Sequence, residues 1–232
     1  MPSLPPAIDL HVHEKGGGIL VVGLHDLTAD GTRTMKALGP LTRGGRHVVA
    51  PDLRGHGESP TPHGPWSIDD IASDAARVVS AHGGNAILVG QGLGAAAALA
   101  VALGHPGIVA GLVLTGLSPR SETPEGRERW ERVAGALRER EREGWALATE
   151  ALGCRPDWRG ALAQLSAPTI VIAGAHDRAA PPAQQREIAA WSRRTRFEVI
   201  ESGRDVFTEA PQILRAAVAR LERIESLQAV AA

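Results

Sequence analysis

The residues with the plainest chemical reading form a glycine-rich turn, Val89-Gly-Gln-Gly-Leu-Gly-Ala-Ala96, between an apolar strand-like run (85–89) and an alanine-rich helix. Gly90, Gly92 and Ala95 fit G-x-G-x-x-A, a cradle in which backbone N–H groups at a helix N-terminus receive a dinucleotide pyrophosphate. Gly90 to Gly94 also fits G-x-S-x-G, the strained turn that presents a nucleophilic serine, in every position except the serine. A cradle should open the first β-α-β unit and be followed about 20 residues later by an acidic residue at a strand end. At least two strand-helix units precede Gly90, and the next strand ends Leu114-Thr115-Gly116 without a carboxylate. The turn is therefore read as a nucleophile turn that lacks its nucleophile.

The rest of the chain must position that turn. Apolar runs recur at Gly18–Leu24, His47–Ala50, Ala86–Val89, Ile108–Thr115, Thr169–Ala173 and Arg196–Ile200, with a first short strand or hairpin within Ile8–His13. They are continuously apolar, as strands covered on both faces should be. Helical stretches lie between them, at Gly31–Leu41, Ile68–His82, Leu93–Leu103, Pro182–Trp191 and Thr208–Leu227. The alternation predicts an α/β fold with a mostly parallel central sheet. It stops between Ser118 and Ala167, where Trp130, Val133, Ala134 and Leu137 share one helical face and arginines and glutamates cover the other. That segment is read as a small helical cap, residues 118–167, inserted into a core of residues 1–117 and 168–232; its charge run Arg138 to Glu143 is a solvated face, because the signs alternate.

Composition narrows the function classes. With 25 basic and 26 acidic residues in 232, the net charge of −1 offers no footprint for nucleic acid or an anionic membrane, and small molecules or proteins are the expected partners. The lone Cys154 can form neither an internal disulfide nor a thiolate cluster. The first ten residues lack the basic and apolar regions of an export signal, and the longest apolar run, Ala95 to Leu103, is well short of the ~18 residues of a membrane span, so a cytoplasmic protein is expected, monomeric or homodimeric. His11 and His13 alternate as on one strand face but lack further local ligands, so no metal and no cofactor is expected.

Several ordered segments resemble the α/β-hydrolase superfamily over almost the whole length. Leu24-His-Asp-Leu-Thr-Ala-Asp-Gly31 is similar to the oxyanion loop, Val48-Val-Ala-Pro-Asp-Leu-Arg-Gly-His-Gly-Glu-Ser59 to the strand-loop segment, 168–185 to the acid-bearing strand and loop, and 199–214 to the final loop and helix. The resemblance implies the α/β-hydrolase fold and puts the nucleophile position at Gly92, the acid at Asp177 and the base at Arg204. Without a hydroxyl at residue 92 no acyl-enzyme forms, and an arginine with a pKa above ~12 is no base at neutral pH. The triad is degenerate.

What remains could still act. The N–H groups of Leu93 and Leu27 would converge on a developing negative oxygen. Arg204 beside Asp177 would make an ion pair, either a tie between loops or a positive charge for a carboxylate or enolate. Asp26, where the family usually has glycine, could lie near the vacated nucleophile position as a proton acceptor, or cap a turn or pair with an arginine. His25 fits a buried, hydrogen-bonded place behind that loop, and Gln91 fits either a substrate contact or helix entry. The expected function is a non-hydrolytic enzyme of cyclase, isomerase or lyase type acting on a small apolar carbonyl compound; the alternatives are a catalytically silent small-molecule-binding or regulatory protein, and a hydrolase with Asp26 as substitute base.

Overall fold

A computed structural model of the chain describes residues 8–231, the last seven of these by backbone alone. The stretch 1–7, which carries most of the segment read for an export signal, lies outside the described residues. Seven strands form one sheet: β1 (Val12–Gly16), β2 (Ile19–Leu24), β3 (Arg46–Pro51), β4 (Ala86–Gln91), β5 (Val109–Thr115), β6 (Thr169–Gly174) and β7 (Thr195–Ile200). Their order is β1-β3-β2-β4-β5-β6-β7, with β1 antiparallel to β3 and every other pairing parallel. This is the mostly parallel α/β sheet that the strand runs predict, and the α/β-hydrolase fold that the resemblance implies.

Both faces of the five inner strands are covered, which is why those strands read as apolar runs. Leu20, Val22, Leu24, Leu88 and Leu112 pack under α2 (Ile68–Ala81) and α3 (Leu93–Gly104). Val21, Val48, Ile87, Val89 and Val113 pack under α1 (Gly31–Leu38) and α8 (Pro211–Ala231). Helix α2 starts at a reciprocal cap in which Ser67 and Asp70 each take the other's backbone N–H. The hairpin of α4 (Pro124–Arg138) and α5 (Glu143–Gly153) lies between β5 and β6 in the chain, and α6 (Pro182–Trp191) and the short α7 (Val206–Glu209) complete the helices.

Three boundaries differ from expectation, each for a local reason. The first strand is Val12–Gly16 rather than within Ile8–His13: it is an exposed edge strand with Glu14 and Lys15, so no apolar run marks it. Helix α1 ends at Leu38 and a 3-10 turn (Gly39–Gly44) takes over, because Pro40 cannot donate the helical N–H. The C-terminal helix is broken into α7 and α8 immediately before Pro211 for the same reason. On α4 the expected apolar face is only half used: Ala134 is buried, Trp130 and Leu137 partly, and Val133 is exposed. Arg138 is spent within the hairpin, on Glu143 and Glu150. Among the described residues no helix is long and apolar enough to cross a membrane.

Candidate functional site

Parallel strands deliver their C-terminal ends to one edge of the sheet, and the loops leaving that edge build the site. The loop after β2 carries His25, Asp26 and Leu27; the turn after β4 carries Gly92; the loops after β6 and β7 carry Asp177 and Arg204. Gly92 has φ +53° and ψ −110°, the strained conformation of a nucleophile turn, where glycine carries no side-chain penalty. Around it α3 and β2 approach closely: a Cβ on Gly94 would stand 2.1 Å from the Leu24 carbonyl oxygen. The glycines thus serve helix-strand packing and the turn, which accounts for them without a phosphate.

The space beside Gly92 is filled. A Cβ built on Gly92 would lie 1.9 Å from Oδ1 of Asp26 and 2.3 Å from its Cγ, so the aspartate occupies the volume that a residue-92 side chain would need. Oδ1 of Asp26 accepts the N–H of Leu27 at 2.9 Å and the N–H of Leu93 at 3.0 Å. Those are the two donors expected to hold a substrate oxyanion. They do converge, but on a carboxylate of the protein itself, so the expectation that they stand open to a substrate oxygen is corrected. Oδ2 of Asp26 accepts from Nε of Arg204 at 3.1 Å, and Nη2 stands at the same 3.1 Å as the other arm of the ion pair. Of the carboxylate's roughly four lone-pair positions, these hydrogen bonds take three, and the Arg204 charge lies against Oδ2.

Arg204 lies between two carboxylates. The pairing expected with Asp177 is the longer one, Nη1 to Oδ2 at 3.6 Å, and Asp26 is the closer partner. Nη1 also reaches the Gly116 carbonyl at 3.4 Å. Asp177 is buried and held by its own loop: Oδ1 accepts the N–H groups of Ala179 (2.9 Å) and Ala180 (3.0 Å), and Oδ2 faces Nε2 of Gln185 at 3.4 Å. Gln185, which the sequence reading did not single out, also accepts the Gly116 N–H (2.9 Å) and so ties the acid loop to the end of β5.

His25 is buried with both ring nitrogens engaged by backbone. Nε2 accepts the Leu53 N–H at 2.9 Å, which leaves Nδ1 to donate to the Asp26 carbonyl oxygen at 2.8 Å. Burial, assisted by neighbouring His56, lowers its pKa from 6.5 to about 4, so it is a neutral strut. Gln91 proves to be the last residue of β4 rather than a helix-entry residue; its Oε1 accepts the Phe207 N–H (3.2 Å) and its Nε2 donates to Asp205 (3.3 Å). Asp205 in turn pairs with Arg33 of α1, a contact between residues too far apart in the chain for local pattern to reveal.

Two cavities flank Arg204. The one under the hairpin, lined by Gly92, Gly116, Ser118, Trp130, Arg155 and Ala180 among others, is about 30 Å³, room for a water or two but not for an acyl chain. A second cavity of about 220 Å³ is bordered by Asp26, Arg33, Gln91, Arg204, Asp205 and Phe207, so the larger of the two is lined largely by charge, which does not suit the small apolar carbonyl compound expected.

Residues 19–218 match the Alpha/beta hydrolase family. Curated relatives include 2-(acetamidomethylene)succinate hydrolase of Mesorhizobium japonicum, 33% identical over 117 residues (50% of this chain, 42% of the relative), and Lipase LipV of Mycobacterium tuberculosis, 37% identical over 110 residues (46% and 41%). The matches thus take in less than half the length of those relatives. Among solved structures, a thermophilic esterase from Thermogutta terrifontis with malate bound superposes with a TM-score of 0.85 at 27% identity over 94% of both chains. The enol-lactonase from Burkholderia xenovorans shares the fold, with a TM-score of 0.80 at 23% identity over 94% of this chain and 99% of that one. The matched span and the sheet order together lead to one statement of kinship: the chain belongs to the alpha/beta hydrolase family.

Proposed function

We propose that this protein is a member of the family that does not hydrolyse through an acyl-enzyme, and that it binds a small polar molecule in the cavity beside Arg204. One observation carries the reading: the Asp26 carboxylate takes the place of a residue-92 side chain and accepts both N–H groups that would hold an oxyanion. Two features the reaction needs, an attacking oxygen and an open pair of donors, are thereby missing at the same point.

Of the non-hydrolytic readings, binding without turnover is favoured over a cyclase, isomerase or lyase. Such a catalyst needs a polar group free to move a proton or to meet developing charge. Asp26 already accepts three hydrogen bonds and pairs with Arg204, which is itself shared between two carboxylates. The same contacts argue against Asp26 as a base that activates water. A small apolar carbonyl compound would find about 30 Å³ beside Gly92 and Trp130, whereas the 220 Å³ cavity is lined by two arginines and two aspartates and the cavity of about 580 Å³ at the hairpin tip is bordered by Asp30, Glu141, Arg142 and Glu143. Dicarboxylates head the ligands to be tried, because one relative is named for a succinate derivative and a similar esterase was solved with malate bound.

The test is labelling and retention. The purified protein should show no covalent adduct with a fluorophosphonate and no burst with p-nitrophenyl acetate, while Asp26→Gly/Gly92→Ser/Arg204→His, which reopens the donors and restores both missing groups, should label. A dicarboxylate should raise the melting temperature and be recovered unchanged. Turnover of p-nitrophenyl esters by the unaltered protein, with an acyl burst, would overturn the reading.

A further inference from the structure

The antiparallel pairing of β1 with β3 puts three potential metal ligands on one face of the sheet edge. The register sets Val12 opposite Pro51 and His13 opposite Ala50, and the Asp52 N–H donates to the His11 carbonyl at 2.9 Å, so His11 stands opposite Asp52. Residues directly opposite share a face, as do positions two apart in a strand. His11, His13 and Asp52 therefore project together, and one ligand atom from each lies within 4.8 Å of the others. The two imidazoles meet edge to face at 4.7 Å between centroids.

Their hydrogen bonding is incomplete in the way a ligand set's would be. Nε2 of His13 is buried and has no hydrogen-bond partner; it stands 3.5 Å from Oδ1 of Asp52 without forming a hydrogen bond. Asp52 is itself buried and fixed: Oδ1 accepts the Gly31 N–H at 2.6 Å and Oδ2 the Glu58 N–H at 2.9 Å, which leaves one lone pair on each oxygen. Glu58 brings a second carboxylate to the edge, with Oε2 3.8 Å from Nδ1 of His11. Helix α1 leaves room by beginning at glycine, since a Cβ on Gly31 would come within 2.5 Å of the His13 ring and 3.0 Å of Asp52.

From this geometry we infer a divalent transition-metal site, best suited to Zn²⁺, with His11, His13 and Asp52 as ligands and Glu58 or water in the fourth position. Two imidazoles and a carboxylate are donors that Zn²⁺ accepts in tetrahedral coordination. At bond lengths of ~2.0–2.2 Å such ligands stand about 3.4 Å apart, close to the 3.5 Å already present between His13 and Asp52. The ion would clamp the edge strand to β3 through residues that share no ligand atom with the Asp26–Arg204 pair, and it does not depend on the ligand proposed for the cavity there.

Titrating the metal-free protein with Zn²⁺ alone tests this. One equivalent should bind, raise the melting temperature, and be replaced by Co²⁺ with the visible absorption of a tetrahedral site. His11→Ala and His13→Ala should each weaken Zn²⁺ at least about tenfold, the scale seen when even an outer partner of a metal site is lost. His13→Gln, which keeps a polar group beside Asp52, guards against a variant that fails to fold. His47→Ala is the control, because His47 and His82 already share the Glu14 carboxylate at 2.9 and 3.4 Å. No saturable Zn²⁺ binding, undiminished affinity in the folded His11 and His13 variants, or loss of binding on His47→Ala alone would each overturn the assignment.

Discussion

Two guanidinium-carboxylate pairs in this molecule look alike in outline and differ in consequence. Arg54 and Asp74 are only 2% exposed each, joined Nε to Oδ2 at 2.7 Å, with Arg54 also donating to the Asp70 carbonyl and lying over Trp66. Arg204 and Asp26 are 29% and 13% exposed, at the mouth of two cavities. Burial pushes the Asp74 carboxyl up in pKa even with Arg54 beside it, so the interior pair stays costly to form and is held by the packing around it. The outer pair fills room where the family resemblance puts a nucleophile. The first pair ties helix α2 to the loop after β3; the second occupies the space beside Gly92.

The largest expected effect comes from breaking the interior pair. Arg54→Ala should lower unfolding free energy by about 3–5 kcal/mol, because it leaves the buried Asp74 charge without its direct partner, with only the more distant Arg77 and the Ile8 backbone to stabilise it. Asp26→Ala should lose no more than about 2 kcal/mol, since Arg204 keeps Asp177 and Gly116 within reach and trimming Asp26, which lines the 220 Å³ cavity, opens room for water to reach the freed N–H groups. Urea unfolding of both variants measures the difference. Equal losses would erase the distinction between tie and plug.

The two regions meet at His25, whose ring takes the Leu53 N–H on one side and gives a proton to the Asp26 carbonyl on the other. Its pKa is about 4 in the fold and 6.5 without it, so between those values the unfolded chain binds more protons. Stability then rises with pH: this contribution is complete above pH 6.5 and is lost as pH falls toward 4. Between pH 7 and 4.5 the loss should be roughly 2–3 kcal/mol. Burial lowers His56 as well and acts in the same direction. Urea midpoints at the two pH values in wild type and His25→Asn check this; an unchanged slope in the variant would remove His25 as the joint.

How much of this was legible depends on the range of the contact. The five inner strands were readable because covered strands leave long apolar runs, and the opposite edge strand β7 through Phe197, Val199 and Ile200, while β1 was not, because an edge strand bearing Glu14 and Lys15 leaves none. Asp26 beside Gly92 was foreseeable, since each departs from one position of a resembled motif. Which carboxylate Arg204 prefers was not, because that is decided by a few tenths of an ångström between loops after β2, β6 and β7. His11 and His13 were visible as a strand face, but their third partner comes from the end of β3, and only the antiparallel register brings Asp52 opposite.

The smallest effect is the one that bears most directly on how the site closed. Gly92→Ser alone introduces a Cβ that would stand 1.9 Å from Asp26 Oδ1, and it forces a side chain into positive φ, which costs about 1–3 kcal/mol. In an Asp26→Gly background the collision is gone and only the backbone strain remains. The double variant should therefore be more stable than the sum of the two single losses predicts, by about 1 kcal/mol or more, as residues in contact allow. Additivity within about 0.5 kcal/mol would mean that Asp26 swings aside at no cost. In that event its carboxylate would be a loosely held occupant, and the contrast with the Arg54–Asp74 tie would be sharper in position than in energy.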